Sequence, residues 1–101
     1  MAKRVVWSNV AKKARRDILE YWIKHNGSST YSKRLSRLFR LKISLLQSEH
    51  YLGKPTDFEN VRVSLVSHFS LFYKITDQEI IVVGIWDNRR NPDDLRKNLE
   101  L

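Results

Sequence analysis

The first half of the chain shows one short apolar segment followed by a long helical pattern. Residues 4–7 combine β-branched and aromatic side chains, which predicts a short strand. Ser8 or Asn9 can cap the helix that follows. Apolar residues in this helix recur at spacings of three and four, at Ala11, Ala14, Ile18 and Trp22. Asn26-Gly27 ends the helix, because glycine readily adopts the left-handed conformation found at helix C-termini.

A second helix is predicted to begin near Ser29 or Thr30 and to end before Gly53-Lys54-Pro55. Its apolar stripe is formed by Tyr31, Leu35, Leu38, Leu45 and Leu46, and is widened by Phe39 and Ile43. Only residues 27–29 connect the two helices. A connection this short predicts an antiparallel helical hairpin.

After a loop at residues 53–60 the apolar period changes from helical to two, which indicates strands. Three strands and a short final helix are predicted, over residues 61–65, 68–75, 80–86 and 93–99. In the first strand, Val61, Val63 and Leu65 alternate with Arg62 and Ser64. The strand at 80–86 is apolar almost throughout, as in a strand that lies mid-sheet or is covered on both faces.

The resulting order is β-α-α-β-β-β with a short C-terminal helix, an α+β fold in a single domain over residues 1–101. We expect an antiparallel sheet with the helical hairpin packed on one face. The opposite face is then partly open, and a ligand or partner is expected there. No apolar run approaches the length that spans a bilayer, and no apolar stretch follows the basic start, so a cytoplasmic protein without membrane contact is predicted.

Charge is distributed unevenly along this basic chain, which has a net charge of +8. Residues 1–50 contain twelve Lys/Arg and three Asp/Glu, a net charge of +9, whereas residues 51–101 contain seven and eight, a net charge of −1. A strongly basic half-chain points to nucleic acid, the ribosome, an anionic membrane or an acidic protein as partner. The alternative is a solvated helical face rich in Lys and Arg. The sequence has no cysteine, and its three histidines share no metal-ligand spacing, so no metal site or cofactor is predicted.

Four basic residues form a ridge on the second predicted helix, at spacings of three and four: Lys33, Arg34, Arg37 and Arg40. The functional interpretation is a docking surface for a polyanionic target, to which Arg62 at the start of the first hairpin strand is also assigned. The alternative is a solvated helix face without a ligand.

Three segments resemble the RelE/ParE superfamily of bacterial type II toxins. Residues 51–55 with Val61-Arg62 are similar to the family's connection from the second helix into the sheet. Residues 68–75 are similar to its central aromatic strand, and residues 85–92 to the last strand and basic exit of one subgroup. The resemblance covers essentially the whole chain and supports the predicted fold.

The resemblance implies a growth-inhibiting toxin of a plasmid-stabilising module, held in a hetero-oligomer by a cognate, usually acidic, antitoxin. RelE-like members cut mRNA in the ribosome, whereas ParE-like members poison DNA gyrase. Where the best-known RelE-like enzymes have catalytic lysines and a first arginine, this chain has Val61, Val63 and Ser70. Their later arginine is matched by Arg90, and no tyrosine follows it. These departures favour the ParE-like mode over ribosome-dependent RNA cleavage. A basic nucleic-acid-binding module that has lost toxicity is a third hypothesis.

A different catalytic set remains conceivable if the protein is a metal-independent mRNA endonuclease. An imidazole can transfer protons near neutral pH, and arginines can neutralise phosphate charge, so His68, Arg89 and Arg90 are the candidate catalytic residues. Tyr73 is in register with apolar neighbours and is expected in the core. The alternative role for Arg89 and Arg90 is a surface ion pair, for instance with Asp87.

Overall fold

The structure is a computed structural model and describes residues 2–99. Two long helices are followed by most of the sheet. The elements are β1 (Arg4–Trp7), α1 (Asn9–Asn26), α2 (Thr30–Ser48), β2 (Lys54–Pro55), β3 (Arg62–Val66), β4 (Phe69–Ile75), β5 (Glu79–Asp87), a 3₁₀ turn (Pro92–Asp94) and α3 (Leu95–Asn98). The α+β fold, the first strand and the helical hairpin are confirmed. The final helix is shorter than predicted, because a 3₁₀ turn precedes it.

The ends of α1 follow from two residues that the sequence singles out. Ser8 is the N-cap, and its Oγ accepts a hydrogen bond from the Ala11 amide at 3.0 Å. Gly27 follows the helix with φ of +67°. A residue with a side chain would be strained in this left-handed conformation, whereas glycine adopts it readily. The Ser32 hydroxyl donates to the Leu19 carbonyl at 2.9 Å, which joins the two helices of the hairpin.

The five strands form one sheet in the order β1-β5-β4-β3-β2. The pairs β2–β3, β3–β4 and β4–β5 are antiparallel. Strand β1 pairs with β5 in parallel. The prediction of a wholly antiparallel sheet was therefore wrong for this pair. Periodicity carries no information on the relative direction of two strands so far apart in the chain. The short strand β2 was also missed and lies inside the predicted loop.

The main core lies between the helical hairpin and one face of the sheet. Helix α2 contributes Leu35, Phe39, Ile43 and Leu46, all buried. The Phe39 and Phe69 rings meet edge to face, with centroids 5.8 Å apart, across the helix–sheet interface. Leu45, predicted in the buried stripe, is instead 45% exposed because it lies on the outer side of α2.

A second, smaller cluster covers part of the opposite face of the sheet. It consists of Val61, Phe72, Trp86 and Leu99. Leu99 packs directly over Gly84, where a side chain would collide with it. The face expected to be open is therefore partly closed by the C-terminal segment.

Strand β3 contributes apolar side chains to both faces of the sheet, since Val63 packs against the second cluster and Val66 belongs to the main core. Ser64 pairs with Leu71 and Val66 pairs with Phe69, so Ser64 and Val66 are buried. Leu65 points away from the core and is 65% exposed. The extra apolar residue Val66 at the strand end fixes this register, because it takes the buried place beside Phe69.

A hydrogen-bonded junction fixes the chain between α2 and β2. The Tyr73 hydroxyl donates to the His50 carbonyl at 2.8 Å and accepts from the Gly53 amide at 3.1 Å. Tyr73 is fully buried, as predicted. The Arg62 guanidinium donates to the Tyr51 and Gly53 carbonyls. Arg62 was assigned from the sequence to polyanion binding. In the structure its guanidinium instead donates hydrogen bonds that stabilise this junction.

Candidate functional site

An open cleft of about 930 Å³ lies where β5 leaves the sheet, between α1 and the C-terminal segment. It exists because β1 ends at Trp7, opposite Val82, whereas β5 continues to Asp87. The last residues of β5 therefore have no strand beside them on the β1 side. Helix α1 and the segment around Leu99 form the walls, and the cleft contains both arginines predicted as site residues.

Arg89 is held against Asp87 by three hydrogen bonds. Its Nε and Nη2 atoms donate to the two carboxylate oxygens at 2.9 Å each, and its amide donates to Oδ1 at 3.0 Å. This hydrogen bonding from Arg89 lowers the pKa of the Asp87 carboxyl and raises the pKa of the guanidinium. The ion pair predicted as the alternative role of the arginines is thus present for Arg89.

Aromatic rings position both guanidinium groups. Arg89 lies 5.0 Å from the centroid of Trp22 and 5.9 Å from that of Phe69. Arg90 lies 4.6 Å from the Trp86 ring. Within residues 2–99, Arg90 has no carboxylate within ion-pair distance, and its side chain is exposed. The cleft therefore presents one ring-supported cation free to bind an anionic group.

Replacing Asp87 by asparagine is expected to lower stability by less than about 1 kcal/mol, since this pair is partly exposed to solvent. The lowered pKa of Asp87 means that the contribution is present at neutral pH and is lost as pH falls through that pKa, below the ordinary value of 3.8. Melting temperature measured against pH should fall less steeply in Asp87→Asn than in the parent below pH 4. Equal slopes would show that the ion pair does not stabilise the fold.

The third candidate catalytic residue, His68, does not lie in a strand as predicted. It occupies the turn between β3 and β4, next to Ser67, whose φ is +54°. Its carbonyl accepts from the Asn88 amide at 3.0 Å, but its exposed side chain is not part of the cleft lining. The Ser70 hydroxyl donates to Asn88 Oδ1 at 2.7 Å. No described residues form a group of three metal-ligating His, Asp or Glu side chains.

The basic ridge predicted on the second helix is exposed on α2. Its members are Lys33, Arg34, Arg37 and Arg40, and none of them lines the cleft. The protein therefore presents two separate cationic surfaces, one at the end of β5 and one along α2.

Most residues that line the cleft were not assigned to a site by the sequence analysis. Among them are Tyr21, Trp22 and Lys13 of α1 and Lys97 of the C-terminal segment. Trp22 was assigned to the core, but its ring also contacts the Arg89 guanidinium. The available signal was the aromatic pair Tyr21-Trp22, since Tyr21 lies about 100° around the helix from Trp22 and is 55% exposed.

Neither long helix within residues 2–99 has the apolar length needed to cross a membrane. In sequence comparison, the profile of the ParE toxin of the type II toxin–antitoxin system parDE matches residues 5–92. No curated protein matches the chain by sequence.

Two solved structures show the same fold at low sequence identity. The chromosomal ParDE toxin–antitoxin system from P. aeruginosa contains a chain of 17% identity, with a TM-score of 0.74 over 85% of this chain and 96% of that one. The RelBE2 toxin–antitoxin complex from Mycobacterium tuberculosis contains one of 13% identity, with a TM-score of 0.58 over 86% and 99%.

Proposed function

The chain belongs to the ParE toxin family of type II toxin–antitoxin systems, and on that premise we propose that it inhibits bacterial growth by acting on DNA gyrase. In this proposal the protein works in the cytoplasm, where gyrase acts, and does not cut RNA. It binds its target as a protein ligand, and Arg90 in the cleft supplies a principal contact. The family match supports this mode over the ribosome-dependent one.

The dispersal of the candidate catalytic residues is the observation that carries the non-nuclease mode. RNA cleavage without a metal needs a base for the 2′-hydroxyl, an acid for the leaving oxygen and cations for the phosphate charge. His68 lies outside the cleft. The Tyr73 hydroxyl is buried and already both donates and accepts a hydrogen bond. Arg89 is neutralised by Asp87. Only Arg90 of the proposed set is in place.

We also propose that an acidic antitoxin neutralises the protein in a hetero-oligomer. Both structural neighbours come from toxin–antitoxin complexes. The net charge of +9 over residues 1–50 suits an acidic partner. Leu41, Leu45 and Leu65 are exposed around a shallow groove of about 270 Å³ between α2 and β3, which could bury apolar side chains of such a partner.

Two assays on the purified protein separate the two toxin chemistries. In the first, gyrase is incubated with supercoiled plasmid and increasing toxin, and linear DNA is measured after protein digestion. In the second, mRNA is mapped for cuts in a bacterial translating extract. We expect toxin-dependent linear DNA and intact mRNA.

The opposite result, codon-phased mRNA cuts that require translation, would refute the gyrase proposal and identify an endonuclease. Intact DNA and intact mRNA, with protein shown to be folded by circular dichroism, would also refute it and indicate a module without toxicity. In that case the protein should be expressible without an antitoxin, whereas a toxin should not be.

A further inference from the structure

Helix α2 carries an uncompensated positive charge along its whole length. Its nineteen residues include Lys33, Arg34, Arg37, Arg40 and Lys42 and no aspartate or glutamate. In the part of the chain that the structure describes, none of these five forms an ion pair. The ion pairs there involve Arg4, Lys13, Arg16 and Arg89 instead.

The cations share one side of α2 with hydroxyl groups. A turn of 3.6 residues brings the ridge residues Lys33, Arg34, Arg37 and Arg40 to the exposed side of α2, together with Ser44. Arg40 Nη1 donates to Ser36 Oγ at 3.2 Å. The exposed Leu41 lies one turn after Arg37 and two turns after Arg34, so the ridge includes one large apolar side chain. The rest of the ridge consists of hydrogen-bond donors.

This arrangement stores repulsion that an anionic ligand would relieve. Lys33 and Arg37 are four residues apart, and Arg37 and Arg40 are three apart, so like charges face each other on the helix surface. Like charges at these spacings destabilise a helix. An extended polyanion would neutralise several of these charges at once and release its own counterions.

We propose that the basic ridge of Lys33, Arg34, Arg37 and Arg40 on α2 binds the phosphate backbone of duplex DNA without sequence preference. The inference builds on the proposed function, since gyrase acts on duplex DNA. Phosphate contacts need cations and hydroxyl or amide donors on a rigid element, and α2 supplies the first two. Helix α2 has no carboxylate among these cations, so the charge of the whole ridge is complementary to that of a phosphate backbone.

The test measures DNA affinity of the purified toxin alone, with no gyrase present. Anisotropy of a fluorescent 20-base-pair duplex is recorded over a series of salt concentrations. The ridge variant is Arg37→Gln/Arg40→Gln, and the matched control is Lys12→Gln/Lys54→Gln. The control removes the same charge from exposed sites outside α2.

With four phosphate contacts, the logarithm of the binding constant plotted against the logarithm of the salt concentration should have a slope of about −3.6. The ridge variant should reduce the magnitude of this slope by about 1.8. Its affinity at 0.1 M salt should fall by roughly tenfold or more, whereas the control should stay near the parent. Circular dichroism of each variant shows whether α2 is intact. Because DNA is the sole ligand, failure here leaves the gyrase assay as an independent test of the proposed function.

Three results would overturn the proposal. One is the absence of DNA binding by the parent at 50 mM salt, and another is an equal loss in ridge and control variants. The third is a stronger preference, removed by the ridge substitutions, for an RNA duplex of the same sequence or for polyglutamate. That result would indicate that the basic ridge binds RNA or an acidic protein instead of DNA.

Discussion

Gly53→Ala is expected to lower the free energy of unfolding by about 3 kcal/mol, a large part of the stability of a domain of this size. A Cβ atom at this position would lie 2.6 Å from the Val63 carbonyl oxygen and 2.7 Å from the Tyr73 hydroxyl. Neither atom can move freely, because the carbonyl belongs to β3 and the tyrosine ring is buried. The substitution would thus break the junction between α2 and the sheet. Urea unfolding followed by circular dichroism measures the loss.

Gly27→Ala is the matched control for this prediction. Gly27 also has a structural requirement, its φ of +67°, but no atom lies within 4 Å of a Cβ built there. The cost should be conformational strain alone, about 1 kcal/mol. If Gly53→Ala proved no more destabilising than Gly27→Ala, the close packing at the Tyr73 junction would not be a source of stability.

Arg90→Ala is expected to reduce toxicity by at least tenfold while leaving the fold intact. The guanidinium is exposed and supported only by the Trp86 ring, so its removal creates no cavity in the main core. Removing a charged partner from a desolvated contact costs about 2 kcal/mol or more, which corresponds to the tenfold or greater loss. The measurement is the toxin concentration that gives half-maximal linear DNA in the gyrase assay.

Lys54→Ala serves as the charge-matched control, because Lys54 is exposed on the edge strand β2, outside the cleft lining. It should leave the half-maximal concentration unchanged. Equal potency of Arg90→Ala and the parent would remove Arg90 from the target contact. Unfolding midpoints of both variants in urea establish that any loss is not a loss of folded protein.

Local signals predicted most elements of the fold, because they depend on neighbours in sequence. The cap at Ser8, the terminator at Gly27 and the apolar stripe of α2 each act within a few residues. The parallel pairing of β1 with β5 depends on residues 75 positions apart, as in the contact between Arg4 and Glu79. No periodicity within either strand encodes that distance or direction.

The candidate site was predicted in part for the same reason. Arg89 and Arg90 could be identified because they follow an apolar strand directly. The partner that neutralises Arg89 is a near neighbour, Asp87, and was named as an alternative. The aromatic wall of Tyr21 and Trp22 comes from a helix more than sixty residues earlier in the chain, so only the packing of α1 against β5 reveals it.

The pairing of β1 with β5 also has a consequence for biosynthesis. During translation, β1 emerges early but has no strand beside it until residues 79–82 have left the exit tunnel. The sheet of an incomplete nascent chain therefore lacks its first edge, and the cleft, which β5 itself builds, does not yet exist. The complete sheet and its cleft can therefore form only after β5 has been synthesised. Chains truncated before β5 should be harmless and readily degraded.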